Sequence, residues 1–205
     1  KILIGSIFIN FCIIYLFKGY SLLSNFIIIS AVFLVISSLI DLYKSYKNLK
    51  IDTPRIVSHL AFGFLILFIG INYNFSLEKD FNLKLGEKKN FENYSVEFKD
   101  LKLQDFKNYK AVIGEFKINN FKENSNQSLY PEIRIYENPS TITYEASIRS
   151  GILKDYYITM SNIDRSDYYN IKFQKKPFMM WIWISVIFIS LGGFIRLYKN
   201  AKKNY

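Results

Sequence analysis

The chain has 205 residues, is 50% hydrophobic and 18% aromatic, and carries a net charge of +10. Its apolar residues fall in blocks instead of at amphipathic spacing, which excludes an ordinary soluble domain. Across residues 72–176 basic and acidic side chains nearly balance, so most of the excess charge flanks the apolar blocks; it reads as a topology signal and excludes a nucleic-acid surface.

Four blocks, residues 2–17, 20–40, 56–71 and 178–195, each approach the ~20 residues that cross a bilayer and predict four transmembrane helices. The first contains Cys12, the only cysteine, which is expected to pack as a small hydrophobe and implies no disulfide. Lacking an N-terminal Met and a small-residue cleavage site, this block does not read as a signal peptide, and the chain is expected to be a fragment of something longer. A turn at Lys18-Gly19-Tyr20 leads into the second block, which is expected to end at Asp41 in a polar linker. Pro54 is expected to open the third helix, since a proline in the first turn loses no hydrogen bond, with Asp52 or Thr53 capping the free amides. Lys44, Lys47, Lys50 and Arg55 lie between the second and third blocks, and Arg196, Lys199, Lys202 and Lys203 follow the fourth. Under the positive-inside rule both clusters are cytoplasmic, which places residues 72–176 outside.

The third block holds His59, the only histidine of the chain. At 1.5 Å per residue it lies about 6 Å past Arg55, in the inner leaflet. An ionisable group there costs a few kcal/mol unless it meets a partner, a cavity or a ligand. Gly63, Ile66 and Gly70 follow on the same face, a stripe that lets another helix or a planar ligand come close to the imidazole. Two readings stay open. His59 is one axial ligand of a haem whose second ligand comes from another helix, or it bonds to a neighbouring helix and the glycines serve packing. A catalytic zinc would need three protein ligands, and a histidine-based triad would need carboxylates that lie across the membrane. With no Cys-x-x-Cys-His, the chain does not carry a c-type haem of its own.

Residues 73–176 change character. Runs such as Tyr94-Ser95-Val96-Glu97-Phe98 and Glu132-Ile133-Arg134-Ile135-Tyr136 alternate with period two, the pattern of half-buried strands. Turn signals fall at Leu85-Gly86-Glu87, at residues 122–128, at Asn138-Pro139-Ser140 and at Arg149-Ser150-Gly151. The expectation is about seven strands in an antiparallel sandwich or partly open barrel. Glu132 and Arg134 share a strand face as an ion pair, structural or partner-binding. Tyr156, Tyr157, Tyr168 and Tyr169 either dock a partner or pack across strands. Pro177 is expected to open the fourth helix as Pro54 opens the third, with Trp181 and Trp183 in an interface belt. The fold class is thus membrane α-helical plus β: residues 1–72 with three spans, 73–176 as an extracytoplasmic β domain, and 177–205 with the fourth span and a basic tail.

One ordered set of blocks is recognisable. Arg55-Ile56-Val57-Ser58-His59-Leu60-Ala61 is followed by Glu78-Lys79-Asp80, Leu85-Gly86-Glu87, Asn108-Tyr109-Lys110-Ala111 and Leu129-Tyr130-Pro131-Glu132-Ile133-Arg134-Ile135-Tyr136. Tyr144-Glu145-Ala146-Ser147-Ile148, Lys154-Asp155-Tyr156-Tyr157 and Lys176-Pro177-Phe178-Met179-Met180-Trp181-Ile182-Trp183 come next, with Leu191-Gly192-Gly193 behind. Over about residues 50–198 the chain resembles the C-terminal part of the CcmF/NrfE family of cytochrome c biogenesis proteins. The resemblance implies a subunit of a haem lyase system in a bacterial cytoplasmic (inner) membrane, or a mitochondrial one if organelle-encoded, with the β domain on the periplasmic side. It implies that His59 ligates the iron of a transmembrane haem b, with Gly63 and Gly70 beside it. It further implies partners: membrane lipid, a haem chaperone, apocytochrome c, other cytochrome c maturation subunits and quinol, and no nucleic acid. The family's tryptophan-rich outer segment, its outer histidines and its second transmembrane haem ligand are missing here, so this segment alone is expected to be incompetent for transfer. The competing reading is a membrane-anchored scaffold whose β domain binds a partner protein without haem. A transporter fragment ranks last, because broken helices and mid-membrane acids are lacking.

Overall fold

The computed structural model describes residues 4–5, 7–9, 11–12, 22–47, 52–163 and 166–203, which fall into two compact units. The first contains helices α1 (Leu22–Lys47), α2 (Thr53–Phe75) and α3 (Met179–Lys203). All three are long and apolar enough to cross a membrane. Of the expected span at residues 2–17, the described positions are helical; the rest, and the turn at residues 18–20, lie outside the described residues. The expected four spans are therefore three among the described residues. Cys12 is exposed, not packed.

Helix α1 runs past its expected end to Lys47. Asp41 stays inside the helix and pairs with Arg55 of α2 at 3.5 Å, and Lys44 and Lys47 in the last turn oppose the negative end of the helix dipole. The expected cap of α2 does not form. Asp52 occupies the cap position without bonding an amide, because its carboxylate turns to Arg196 of α3 at 3.4 Å. Pro54 does sit in the first turn. Pro177 does not repeat its part: it ends a strand, and Phe178 with φ +58° makes the turn into α3. A left-handed non-glycine residue is disfavoured by roughly 1–2 kcal/mol. It is held here by its N–H donating to the Leu153 carbonyl at 2.9 Å and by its ring stacking on Phe68.

The second unit is a β-sandwich. Among the described residues one sheet has the order β1-β10-β9-β8, and the other β2-β3-β4-β6-β7 with β5 also on β4. The strands are β1 (Leu77–Leu83), β2 (Lys88–Phe91), β3 (Tyr94–Asp105), β4 (Tyr109–Asn120), β5 (Ser125–Leu129), β6 (Glu132–Glu137), β7 (Ser140–Glu145), β8 (Ser147–Arg149), β9 (Lys154–Asn162) and β10 (Tyr169–Pro177). The expected seven or so undercount for a physical reason. Strands β2, β5 and β8 are short, and β5 (SNQSL) is too polar to alternate; it is fixed by pairing Asn119↔Asn126 and Lys117↔Ser128 on β4. Alternate residues of the two sheets face each other, and Val96, Phe98, Phe116, Ile158, Met160, Ile171 and Phe173 are fully buried. Phe98 and Phe116 stack at 4.5 Å. Gly114 on β4 is required by its neighbours, since a Cβ there would lie 2.7 Å from the Phe116 ring and 2.9 Å from the Met160 sulfur.

Among the described residues β1, β2, β7 and β8 end the two sheets and β5 pairs on β4 alone, and these borders differ. β1 carries Glu78, paired with Lys172, and Lys79, paired with Glu92. β2 begins with Lys88-Lys89, and β8 has three residues. β7 has no charge from Ser140 to Tyr144 and leaves Ile142 and Tyr144 exposed.

Phe116→Ala removes a ring stacked at the centre of the sandwich and is expected to cost about 3–5 kcal/mol. Phe121→Ala, at an exposed turn position, should stay within about 0.5 kcal/mol. Denaturant unfolding followed by near-ultraviolet circular dichroism measures both.

Candidate functional site

Helix α2 packs on both α1 and α3, and its three faces have different fates. Towards α1, Ile56, Gly63 and Gly70 are buried. A Cβ on Gly63 would lie 2.8 Å from Val35 Cγ2 and 3.2 Å from the Val35 backbone nitrogen, and one on Gly70 would lie 3.1–3.2 Å from Ile27 and Ile28. The glycines let two backbones approach, as small residues do between membrane helices. Towards α3, Ser58 and the Pro54 carbonyl fill the space over Gly192. Higher up, Phe68 meets Trp181 with ring centroids 5.8 Å apart.

The third face holds His59. Its imidazole is exposed, and among the described residues it makes no hydrogen bond or ion pair. Phe62, Ile69 and Tyr73, at the helical spacings that share its face, are 49%, 44% and 63% exposed. The Gly63–Val35 contact and the Arg55–Asp41 pair bracket His59 at the level of Ser38 on α1. It stands at the edge of the α1–α2 seam, not inside it. Gly63 and Gly70 therefore do not leave flat backbone open beside the imidazole as expected: α1 fills both positions.

A feature the sequence reading missed lies on the opposite flank. Val57, Leu60, Phe64 and Phe68 of α2 and Trp181 and Phe188 of α3 line an open groove of about 340 Å³. Its polar member, Ser185, spends its hydroxyl on the Trp181 carbonyl at 2.8 Å, so the groove offers shape but no donor for a metal or a polar head. The signal was available in the aromatic pair Phe64 and Phe68, one helical turn apart on a face that His59 does not share.

In the sandwich, Arg134 Nε donates to Glu132 Oε2 at 2.8 Å and its guanidinium lies 5.0 Å over the Tyr109 ring. The hydrogen bond to Glu132 raises the Arg134 pKa above its ordinary value. The ion pair stays within β6, and the Arg134–Tyr109 contact is what reaches β4. The four tyrosines separate. Tyr156 is 3% exposed in the core against Tyr94, and Tyr169 packs edge-on to Phe98. Tyr157 bonds to Asp155, and burial followed by that carboxylate's charge raises its pKa. Tyr168 stays exposed, with Lys84 over its ring. As a docking set they are dispersed: alternation carries Tyr156 and Tyr157 to opposite faces, and one face is the core.

Apolar helices of spanning length joined to an antiparallel β-sandwich define a membrane α-plus-β protein. Residues 74–177 match the family described as the CcmF C-terminal beta-sandwich, and the chain belongs to that family. It is 28% identical over 143 residues to the cytochrome c-type biogenesis protein CcmF of Haemophilus influenzae, a match covering 69% of this chain and 22% of that protein. It is 26% identical over 144 residues to the protein of the same name in Escherichia coli, covering 70% and 22%. A solved structure titled Cytochrome c Heme Lyase CcmF superposes with a TM-score of 0.71 over 93% of this chain and 33% of that one, at 16% identity, a likeness of fold. The matched region spans 22% of the length of these two curated relatives.

Gly63→Leu is expected to push α1 away from α2 and lower the melting temperature in detergent, while Gly193→Leu, where a Cβ meets nothing within 4 Å, leaves it unchanged. Thermal unfolding of the two variants side by side checks the contrast.

Proposed function

We propose that this chain is the part of a cytochrome c haem-lyase assembly that holds a transmembrane haem b through His59 and takes part in haem delivery and ligation to apocytochrome c. One observation carries the proposal: the chain's only imidazole stands exposed on a helix of spanning length with neither nitrogen bonded to a described residue. A neutral imidazole is a common iron ligand. Left bare in the membrane it would be a cost without return. Its donor chemistry fits one axial position, and Phe62, exposed one turn on, offers an aromatic neighbour to a planar ring. The chain has no second histidine, so a second imidazole on the iron would come from a different segment or subunit. When bound, haem b supplies one-electron transfer, with electrons drawn from quinol.

His59 in this reading holds the iron. Gly63 and Gly70 act at one remove, by drawing α1 against α2 so that the imidazole sits at the rim of a fixed seam. The three helices lie in a bacterial inner membrane with the basic ends of α1 and α3 inside and the sandwich on the periplasmic side, where a haem chaperone, apocytochrome c and other maturation subunits meet it. The near balance of charge in residues 72–176 and the lysines after the spans support that orientation.

His59→Ala is expected to abolish the b-type Soret absorbance of the assembled protein while membrane insertion stays intact. An unchanged spectrum in purified, inserted variant rejects the ligand role. Absence of haem from every purified assembly, with the sandwich still retaining a partner, would favour the scaffold reading.

A further inference from the structure

Residues Ile152–Lys154 lie between β8 and the body of β9 in sequence, yet they belong to the same compact unit as the helices. Two hydrogen bonds hold them there. The Trp181 indole N–H donates to the Ile152 carbonyl at 2.9 Å, and the Phe178 N–H donates to the Leu153 carbonyl at 2.9 Å. Both donors belong to the first turn of α3 or the residue before it, so this short loop is level with the end of the helix. Neither aliphatic side chain is used in packing: Ile152 is 66% and Leu153 61% exposed. Around the same end of α3, Met180 and Trp183 are also exposed.

An indole N–H at a membrane boundary ordinarily points at water or lipid headgroups. Here Trp181 gives its proton to a backbone carbonyl of this chain instead, which sets Ile152 and Leu153 at the depth of the tryptophan belt. The geometry points to this loop as a membrane-embedded element: Ile152 and Leu153 insert into the outer interfacial layer of the bilayer. The occupant of this apolar surface is lipid, because the surface is continuous with the start of a helix of spanning length. The inference rests on reading α3 as a membrane span.

Spin-label accessibility in the full chain, reconstituted in vesicles of phosphatidylethanolamine and phosphatidylglycerol, tests it. In a Cys12→Ser background, single labels go at Leu153→Cys, at Ile187→Cys in the middle of α3 and at Lys122→Cys in the exposed β4–β5 turn. All three positions are exposed in the structure, so the labels displace no core. The label at 187 is expected to be quenched by oxygen far more than by a water-soluble nickel chelate, the label at 122 the reverse, and the label at 153 to follow 187 in sign. A label at 153 that behaves as the one at 122 does, while 187 remains lipid-exposed, overturns the inference and leaves the span intact. A chelate-accessible label at 187 overturns both.

Discussion

The close approach of α2 to its two neighbours is the constraint on which the helical unit depends. On one side Gly63 and Gly70 admit Val35, Ile27 and Ile28; on the other Gly192 admits Ser58. Between apolar helices in an apolar solvent there is little hydrophobic gain from association, so contact area and backbone proximity carry it. Because both seams are filled, α2 cannot rotate without driving a side chain into a space sized for hydrogen, and the directions of its remaining faces follow. That is why His59 faces outward and the aromatic groove opens on the other flank. The ion pairs Arg55–Asp41 and Arg196–Asp52 close the basic end of the same bundle, where exposure limits each to about 1 kcal/mol or less.

The sandwich is governed by a different balance. Its core is aromatic and aliphatic with few polar groups, and it is large enough to bury Phe98, Phe116 and Phe173 completely. Ser95, Asn120 and Asp155 are buried there as well, and Tyr94 and Tyr156 bring hydroxyls into the core. Burial first, and the hydrogen bond between them second, raises the Tyr94 pKa, and Asn120 Nδ2 reaches the Tyr156 hydroxyl at 3.4 Å. A buried hydroxyl is tolerated when it has such a partner.

Much of this architecture was legible in the residues. The spans of α1, α2 and α3 announced themselves by length and composition, and β3, β4 and β6 by alternation over β-branched and aromatic positions. What stayed hidden was whatever tertiary contact decides. Asp52 looks like a helix cap until Arg196, far away in sequence, claims its carboxylate. Pro177 looks like a helix start until the Asn72 amide donates to its carbonyl and the Phe178 N–H donates to Leu153. Strand β5 looks like a loop because only pairing with β4 makes it a strand. At the candidate site the histidine was visible as an anomaly of type, but the glycine stripe has the same spacing whether it meets a helix or a ligand, and only the position of α1 decides that.

The unequal borders of the sandwich make it asymmetric with respect to growth. An extended segment approaching β1 or β2 would be met by lysines and carboxylates that keep their own water, and one approaching β8 would find too few residues to register against. At β7 it would find a border of five uncharged residues, with Ile142 exposed and the Tyr144 hydroxyl already donating to Asn162. Charge or brevity marks β1, β2 and β8, whereas β7, and the uncharged β5 that pairs with β4, carry neither.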